Sequence, residues 1–509
     1  MPRFGWYPDA TPDAAAAKSN AADLLRVIAG GTLNYGLGQT LPLVIGFLLI
    51  PVYTSILTPE DYGIIEMSAV LATVLTVFMR LGVPGAVTRF YYEHHEGPGL
   101  RDYVTSIAWF LRINALLVGM LVLAGAYFLA PRLFPGLPFF PYIVLTVVTS
   151  ILATNSDLQR RLIQVRRQSS YSAKLSITNS LLSIALAIAF VVGLRWGAAG
   201  MLVAQALTGA IFVINATAYL WPDLKGHVRP SIVRESVRYG SGIFASHLMA
   251  GAGPLITRAV LAASASIGTV GLFALANRVT SPLLILSQAF QTAYVPEYFA
   301  ARKSGTDGAL RALAKVESSF WTLGVQASLA AAVIGPPALI LLTPERFHGA
   351  ASLVPILALG FLGQMLYALM SPEIFYLKTR WLPPLVTSAN IVTTLVLTMV
   401  LVGRYGAYGV AWASIAGTAA GSILCGVLAA RRAPVPHDWF TLGRALIVSV
   451  GSLVLASVLA PKSPAEAAFL GVAVVGLNAA MLFAVGDPLM RRLVAEIQAR
   501  FMMRAEAVK

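Results

Sequence analysis

Runs of about 20 predominantly apolar residues recur along nearly the whole of this 509-residue chain. As a helix, which rises about 1.5 Å per residue, each run is long enough to cross a hydrocarbon layer roughly 30 Å thick. No strand-like alternation of apolar and polar residues accompanies the runs, so helices that satisfy their own backbone are expected. The pattern predicts an all-α polytopic membrane protein.

Composition supports the same class. Hydrophobic residues make up 57% of the chain and charged residues only 12%, whereas soluble domains average about half apolar and a quarter charged. The single cysteine, Cys425, lies in an apolar run, which excludes an intrachain disulfide and indicates a small buried residue. Residues 1–22 lack the short apolar core of a signal peptide, so the first apolar run is expected to be a retained span.

Apolar runs and the breakers between them predict about fourteen transmembrane helices. They lie near residues 33–57, 63–81, 103–130, 139–157, 171–194, 197–220, 239–262, 268–296, 314–342, 350–377, 382–403, 406–430, 441–460 and 464–486. If the N-terminus is cytoplasmic, most of the 37 Lys and Arg residues fall in inside segments, and each outside turn holds at most one. Omitting one helix would invert that alternation, so both termini are expected in the cytoplasm.

The same charge placement argues against nucleic acid as a partner. The net charge of +15 is distributed along the predicted cytoplasmic border of the membrane, where basic residues meet anionic lipid headgroups. The stretch 488–504 alternates apolar and basic positions and predicts an amphipathic helix on the inner membrane surface.

An internal repeat indicates a duplicated architecture. Residues 192–200 resemble residues 402–409, and the tetrapeptide beginning at Asp61 parallels the one beginning at Thr269. Six spans separate equivalent points, so the two halves share an orientation. We therefore predict two pseudo-symmetric six-helix bundles, a parallel repeat with its axis along the membrane normal, plus two C-terminal helices.

This architecture predicts six segments. They are a cytoplasmic N-terminal segment (1–32), an N-lobe with spans 1–6 (33–220), a cytoplasmic linker (221–238), a C-lobe with spans 7–12 (239–430), spans 13 and 14 (431–486) and a cytoplasmic amphipathic tail (487–509).

Short motifs in both halves carry a family resemblance. The first half has Leu57-Thr58-Pro59-Glu60-Asp61-Tyr62-Gly63, Leu81-Gly82-Val83 and Arg89-Phe90-Tyr91, and the second has Arg238-Tyr239-Gly240, Thr257-Arg258, Val270-Gly271-Leu272-Phe273 and Ala293-Tyr294-Val295-Pro296. Their order resembles that of the polysaccharide flippases of the MOP superfamily, which move O-antigen and exopolysaccharide repeat units. The resemblance covers roughly residues 25–435.

The resemblance implies a V-shaped pair of bundles, no cofactor, and an undecaprenyl-diphosphate-linked oligosaccharide as substrate. It implies movement from the cytoplasmic to the periplasmic leaflet of the bacterial inner membrane by alternating access, with membrane lipids and other polysaccharide-assembly proteins as partners. By analogy with related lipid II flippases, spans 13 and 14 would shelter the polyprenyl tail. Family members often have Asp where this chain has Thr257, so Arg258 lacks a counter-charge on its own helix and is expected to be freer to meet an anion.

Three arginines within predicted spans are candidates for a diphosphate site, namely Arg278, Arg258 and Arg112. Charges at membrane depth are costly and usually face a cavity or a partner, and the guanidinium fork matches phosphate oxygens. Snorkelling to an interface is the structural alternative, above all for Arg258 and Arg112. Uncharged polar candidates for the cavity wall are Gln39, Asn179, Gln205 and Asn390, although such residues also bond between helices.

Coupling or gating candidates are Glu66, His247 and Glu373. A core histidine, an interfacial Glu66 and pairing of Glu373 with Lys378 are the respective structural alternatives. No metal site is predicted, because the adjacent His94 and His95 are poorly placed for chelation. The sequence leaves coupling to H⁺ or Na⁺ open.

Other functions remain as alternatives. A lipid II flippase fits the basic spans and the span count, whereas a multidrug exporter of the same superfamily is expected to have acidic cavity residues and twelve spans. A membrane polymerase or acyltransferase needs a catalytic constellation, which the short outside turns do not gather. No Gly-Lys-Ser/Thr phosphate loop is present, so direct nucleotide hydrolysis is not expected.

Overall fold

The computed structural model describes residues 46–93, 98–166, 168–377, 379, 381–432, 437–459, 461 and 463–485. Gln39, Lys378, the His94–His95 pair and the amphipathic tail lie outside these residues. Within them all regular structure is helical: α1 (Ile50–Ile56), α2 (Pro59–Arg80), α3 (Val83–Phe90), α4 (Pro98–Leu133), α5 (Val144–Val165), α6 (Ser169–Ala187), α7 (Gly197–Leu220), α8 (Pro230–Ser264), α9 (Ile267–Ser304), α10 (Asp307–Leu342), α11 (Val354–Tyr376), α12 (Leu382–Arg432), α13 (Trp439–Val458) and α14 (Pro464–Val485).

Three short segments join this series. π-helical turns at Phe139–Ile143 and Ile188–Gly193 adjoin α5 and α6, and a 3₁₀ segment at Glu345–Leu353 leads into α11. Eleven helices in the described part are long and apolar enough to cross a membrane. Large apolar side chains such as Leu121, Phe128 and Phe469 are largely uncovered by protein, as lipid-facing residues would be. The chain is a multi-pass, all-α membrane protein, as the sequence predicts.

Every predicted span from 63–81 onward overlaps a helix. The spans 382–403 and 406–430 form a single element, α12, because the reversal between them is confined to Gly406, at φ 52° and ψ −128°. Gly417 packs on Asn390 and Thr394, and Gly421 packs on Asn390 and Val386. As the residue number rises on one arm it falls on the other, so the two arms of α12 are antiparallel and count as two spans.

The two halves meet where α2 crosses α9. A Cβ at Gly63 would lie 1.9 Å from the carbonyl oxygen of Ile267, and a Cβ at Gly271 would lie 1.9 Å from that of Pro59. Gly63 and Gly271 are the third residues of the two tetrapeptides that the sequence analysis compares, and glycine at both lets the two backbones touch. Near this crossing, the rings of Tyr62 and Phe347 pack edge to face at 5.3 Å.

The turn before α2 is held by hydrogen bonds of one carboxylate. Thr58 and Asp61 form a capping box, in which the Asp61 amide donates to Thr58 Oγ1 and the Thr58 amide donates to Asp61 Oδ2. Asp61 Oδ1 also accepts from the Ala198 amide at 2.9 Å, at the start of α7. The acidic residue of this motif therefore ties the turn between α1 and α2 to the turn before α7.

α8 connects the two halves rather than lying within one. Near its start, the Gly240 backbone packs directly on Gly82 at the start of α3, and Tyr239 packs edge to face on Phe90. Further along, Gly253 packs on Ile391 of α12. The predicted boundary at residue 239 thus falls inside a helix that begins at Pro230 and packs on both halves.

Candidate functional site

Arg278 lies on α9 about 16 Å from the helix start, near the midplane of a layer roughly 30 Å thick. Its side chain is exposed, and its guanidinium carbon lies 5.9 Å from the centre of the Tyr62 ring on α2. No carboxylate in the described ranges forms an ion pair with it. A ring face attracts a cation without supplying a negative charge, so the Tyr62 contact leaves Arg278 without a counter-charge among the described residues.

Glu66 and Arg258 are the two predicted site residues that the structure brings into direct contact. Arg258 Nε on α8 lies 3.3 Å from Glu66 Oε1 on α2, and the side chains are 16% and 21% exposed, respectively. The guanidinium carbon of Arg258 also lies 5.0 Å from the centre of the Phe273 ring. Glu66 on α2 therefore supplies the counter-charge that Thr257 cannot. Arg258 has no acidic neighbour in the Thr257 position, as the sequence shows, but it is not free of a counter-charge in the fold.

Arg112 is held within the first half. It is half-buried on α4, where its Nη2 donates to Thr217 Oγ1 of α7 at 3.5 Å and its guanidinium carbon lies 5.9 Å from the Trp109 ring centre. The nearby Asn114 has a clear structural task, because its Nδ2 donates to the carbonyls of Phe78 and Met79 at 3.0 and 2.8 Å, near the end of α2. None of these contacts joins Arg112 to Arg278 or Arg258.

The predicted polar residues are dispersed. Asn179 is half-buried on α6, and Gln205 is exposed on α7. Asn390 lies where the arms of α12 cross, and its Oδ1 accepts from Thr394 Oγ1 at 3.4 Å. His247 is exposed midway along α8. Roles for these residues in substrate binding or coupling stay predictions.

Glu373 is buried on α11, at 1% exposure. It belongs to a cluster of which the sequence analysis identified Glu373 alone. Its Oε1 lies 3.0 Å from Nε2 of His437, whose Nδ1 lies 2.8 Å from Glu317 Oε2 on α10. The Tyr294 hydroxyl of α9 donates to Glu317 Oε1. One sequence feature could have indicated this cluster, namely Glu317, a glutamate inside the predicted span 314–342. The residues around His437 carry no comparable signal.

The charge state of His437 follows from this geometry. Burial disfavours the protonated ring, but the hydrogen bonds and negative charges of Glu317 and Glu373 outweigh burial and raise the pKa of His437 to about 10. The ring is therefore an imidazolium at neutral pH. Within the described residues no group of three or more His, Cys, Asp or Glu side chains is arranged to hold a metal ion.

A pocket of about 650 Å³ lies between α4 and the start of α8, within the size range of ligand sites. Its wall is mainly apolar and includes Trp109 and Ile113, and two arginines one helical turn apart, Arg234 and Arg238, also line it. None of the predicted site residues lines this pocket.

Comparison with known proteins agrees with this architecture. The family model described as polysaccharide biosynthesis protein matches residues 28–300, more than half of the chain. No curated protein sequence matches.

Among solved structures, the lipid II flippase MurJ in an inward closed conformation has a TM-score of 0.72 at 11% identity, covering 89% of this chain and 99% of that one. An inward-facing multidrug resistance MATE family transporter of the MOP superfamily has a TM-score of 0.59 at 15% identity, covering 75% and 92%. An outward-facing MATE structure has a TM-score of 0.53 at 15% identity, covering 81% and 98%.

These neighbours confirm the predicted fold, a helical membrane protein similar to flippases and transporters. The chain belongs to the polysaccharide biosynthesis protein family, and its fold is similar to those of the lipid II flippase MurJ and of a MATE family transporter of the MOP superfamily.

Proposed function

We propose that the chain translocates an undecaprenyl-diphosphate-linked oligosaccharide from the cytoplasmic to the periplasmic leaflet of the bacterial inner membrane, for cell-surface polysaccharide biosynthesis. Translocation proceeds by alternating access between the two halves, with both termini in the cytoplasm. The observation that carries the proposal is Arg278, an exposed arginine deep in α9 beside the crossing of α2 and α9, which forms no ion pair with any residue that the structure describes.

A cation at this depth is expensive unless a counter-charge meets it for part of the transport cycle. Arg258 has Glu66 as its counter-charge, whereas Arg278 lies beside the Tyr62 ring and has no carboxylate partner among the described residues. A diphosphate supplies the missing negative charge together with oxygens that match the guanidinium fork. Arg278 is therefore assigned to the diphosphate, and Arg258 serves the substrate only if Glu66 is displaced.

The coupling candidates divide in the same way. Glu66 forms an ion pair with Arg258, and Glu373 forms one with His437. Neither carboxylate is therefore available to bind a further cation in this state. His247 is exposed and belongs to no described ion pair. Coupling to H⁺ or Na⁺ through the two carboxylates therefore requires one of these ion pairs to open during the cycle.

The appended helices α13 and α14 are assigned to the polyprenyl tail. They pack on α10 and leave large apolar side chains such as Phe440, Ile447 and Phe469 uncovered by protein. Gly471 packs directly on Val333 of α10, which fixes α14 along the second half. An apolar surface attached to one half would give the tail a route beside the moving bundles.

A second candidate is lipid II as the cargo, favoured by the fold similarity to the structure titled lipid II flippase MurJ, which covers 89% of this chain. The two cargoes share the polyprenyl diphosphate and differ in the sugar. Restoring growth to cells depleted of their lipid II flippase would support lipid II. Restoring surface polysaccharide alone would support the first proposal.

The direct test replaces Arg278 by Ala and by Lys and measures lipid-linked oligosaccharide on the two leaflets. Arg404→Ala is the matched control, because Arg404 is also exposed but lies at the turn between the arms of α12, stacked on Tyr405 at 5.7 Å. We expect the Ala variant to accumulate substrate on the cytoplasmic leaflet and the control to export normally. Unaltered export by Arg278→Ala at normal protein level would remove Arg278 from the mechanism.

A further inference from the structure

The appended helices are attached to α10 by three polar contacts, two of which come from residues one helical turn apart. Trp321 Nε1 donates to the Leu442 carbonyl of α13 at 3.1 Å, and Gln326 Nε2 donates to the Val475 carbonyl of α14 at 2.7 Å. Glu317, one helical turn before Trp321, makes the third contact through its ion pair with His437. This third contact is the one whose strength depends on protonation.

The geometry around His437 requires a positive charge. Its two ring nitrogens lie 2.8 and 3.0 Å from carboxylate oxygens of Glu317 and Glu373, and the three side chains are 11%, 3% and 1% exposed. Two carboxylates this close together in a buried site repel each other unless a cation stands between them. Nδ1 is hydrogen-bonded to Glu317, and Nε2 lies at ion-pair distance from Glu373 without meeting hydrogen-bond geometry, so a protonated ring acts as a cationic bridge between α10 and α11 through its charge.

The surroundings decide what happens when the bridge opens. From α9, the Tyr294 hydroxyl donates to Glu317, and the charge of Arg302 acts on Glu373. Tyr298, also on α9, has a buried hydroxyl that makes no hydrogen bond within the described part of the chain and lies in electrostatic range of Glu373. From α13, the Trp439 ring packs on His437 at 5.3 Å. Each carboxylate therefore keeps a neighbour that can stabilise it after His437 leaves.

We propose that Glu317, Glu373 and His437 form a proton-binding clasp, which holds the appended helices on the second half when protonated and gives up its proton when it opens. The clasp adds a proton site and a movable attachment to the proposed function, and it holds whatever the cargo is. Only movement of the segment that begins at His437 is needed to open it, because Glu317 and Glu373 lie on helices packed within the second half.

The direction of the pH effect follows from the two states. In the closed clasp the pKa of His437 is about 10, whereas a released His437 returns toward its ordinary value of 6.5. Opening between about pH 6.5 and pH 10 therefore releases a proton, and acid favours the closed form. Midway between the two values each opening of the clasp releases close to one proton, and at neutral pH it releases most of one.

Histidine NMR tests the proton site. The full-length protein, labelled with ¹³C and ¹⁵N at histidine and placed in lipid nanodiscs, is titrated from pH 5.5 to 10.5, and His437→Gln identifies the resonance. We expect His437 to remain protonated beyond pH 9, and Glu317→Gln combined with Glu373→Gln to lower its midpoint by more than one pH unit. The control Glu345→Gln, at an exposed position, should leave it unchanged. A wild-type midpoint near 6.5, or no response to the double substitution, overturns the clasp.

Hydrogen exchange of the wild-type protein tests the attachment without any substitution. After correction for the intrinsic pH dependence of exchange, the amides of residues 439–446 at the start of α13 should lose at least tenfold protection between pH 7 and pH 10.5. Amides of α5 serve as an internal reference and should keep theirs. Equal behaviour of the two segments would show that His437 does not hold α13, even if its pKa is raised.

Discussion

The crossing of α2 and α9 gives the sharpest prediction. Gly63→Ala would place a methyl group 1.9 Å from the Ile267 carbonyl oxygen, and Gly271→Ala would place one 1.9 Å from the Pro59 carbonyl oxygen. In both cases the obstacle is backbone, which cannot rotate away as a side chain can. Gly242→Ala is the matched control, because a Cβ there meets nothing within 4 Å.

The size of the effect follows from these distances. Carbon atoms pack favourably at about 3.5–4.0 Å, so a contact at 1.9 Å requires the helices to part by roughly 1.5 Å. Overpacking of this kind typically costs about 1–3 kcal/mol, or about 5-fold to 150-fold in the population of the state in which α2 and α9 touch. The control, Gly242→Ala, replaces glycine by a better helix former without a clash. It is therefore expected to leave the stability unchanged or to raise it slightly.

Two assays measure this cost. Thermal unfolding of the purified protein in detergent should show a lower midpoint for Gly63→Ala and Gly271→Ala than for wild type, with Gly242→Ala equal or higher. Export of lipid-linked oligosaccharide should fall for the first two variants only. If Gly63→Ala and Gly242→Ala behave alike in both assays, the close crossing of α2 and α9, and the junction of the halves built on it, is refuted.

Three further predictions concern single contacts. Arg258→Gln and Glu66→Gln should each lower the thermal stability. The double variant should lose less than the sum of the two losses, with a coupling free energy of about 1 kcal/mol from a double-mutant cycle. Strict additivity would mean that the ion pair contributes nothing. Asn114→Ala removes two hydrogen bonds to carbonyls near the end of α2 and should cost about 1–2 kcal/mol in unfolding free energy. Asn179→Ala should cost less than half of that. Equal costs would show that the Asn114 hydrogen bonds do not stabilise the fold. Because the folded-state pKa of His437 is raised, the stability that its protonated ring contributes is complete below about pH 6.5 and is lost as the pH rises through 10. The thermal unfolding midpoint of the wild-type protein should therefore fall across that range. A parallel fall in His437→Gln would show that other groups cause it.

The spans were predictable because crossing a membrane imposes a length and an apolarity that a single run of residues reveals. The arms of α12 show this, since two runs predicted the two spans and Gly406 between them marked the reversal. Helix ends were less predictable. α8 begins at Pro230, whereas the apolar run begins near residue 239, because the first turns of this helix carry arginines and lie beside α3 and α4.

The site was only partly predictable, because its contacts join residues that are far apart in the sequence. The sequence marked Arg258 and Glu66 as charges at membrane depth, but their pairing across 192 residues depends on how α2 packs on α8. The same holds for His437, which lies 120 residues from Glu317. Arg278 differs from these residues, because its position in one apolar run already indicated its depth; its role in substrate binding stays a prediction.

Transport by the purified protein tests the central claim most directly. The full chain is reconstituted in proteoliposomes with a fluorescent polyprenyl-diphosphate-linked oligosaccharide, and movement between leaflets is followed by quenching from outside. The account predicts faster translocation than in protein-free liposomes, unchanged rates for Arg404→Ala and loss of most of the gain for Arg278→Ala. A folded protein that gives no acceleration, or the same acceleration with Arg278→Ala, would contradict it.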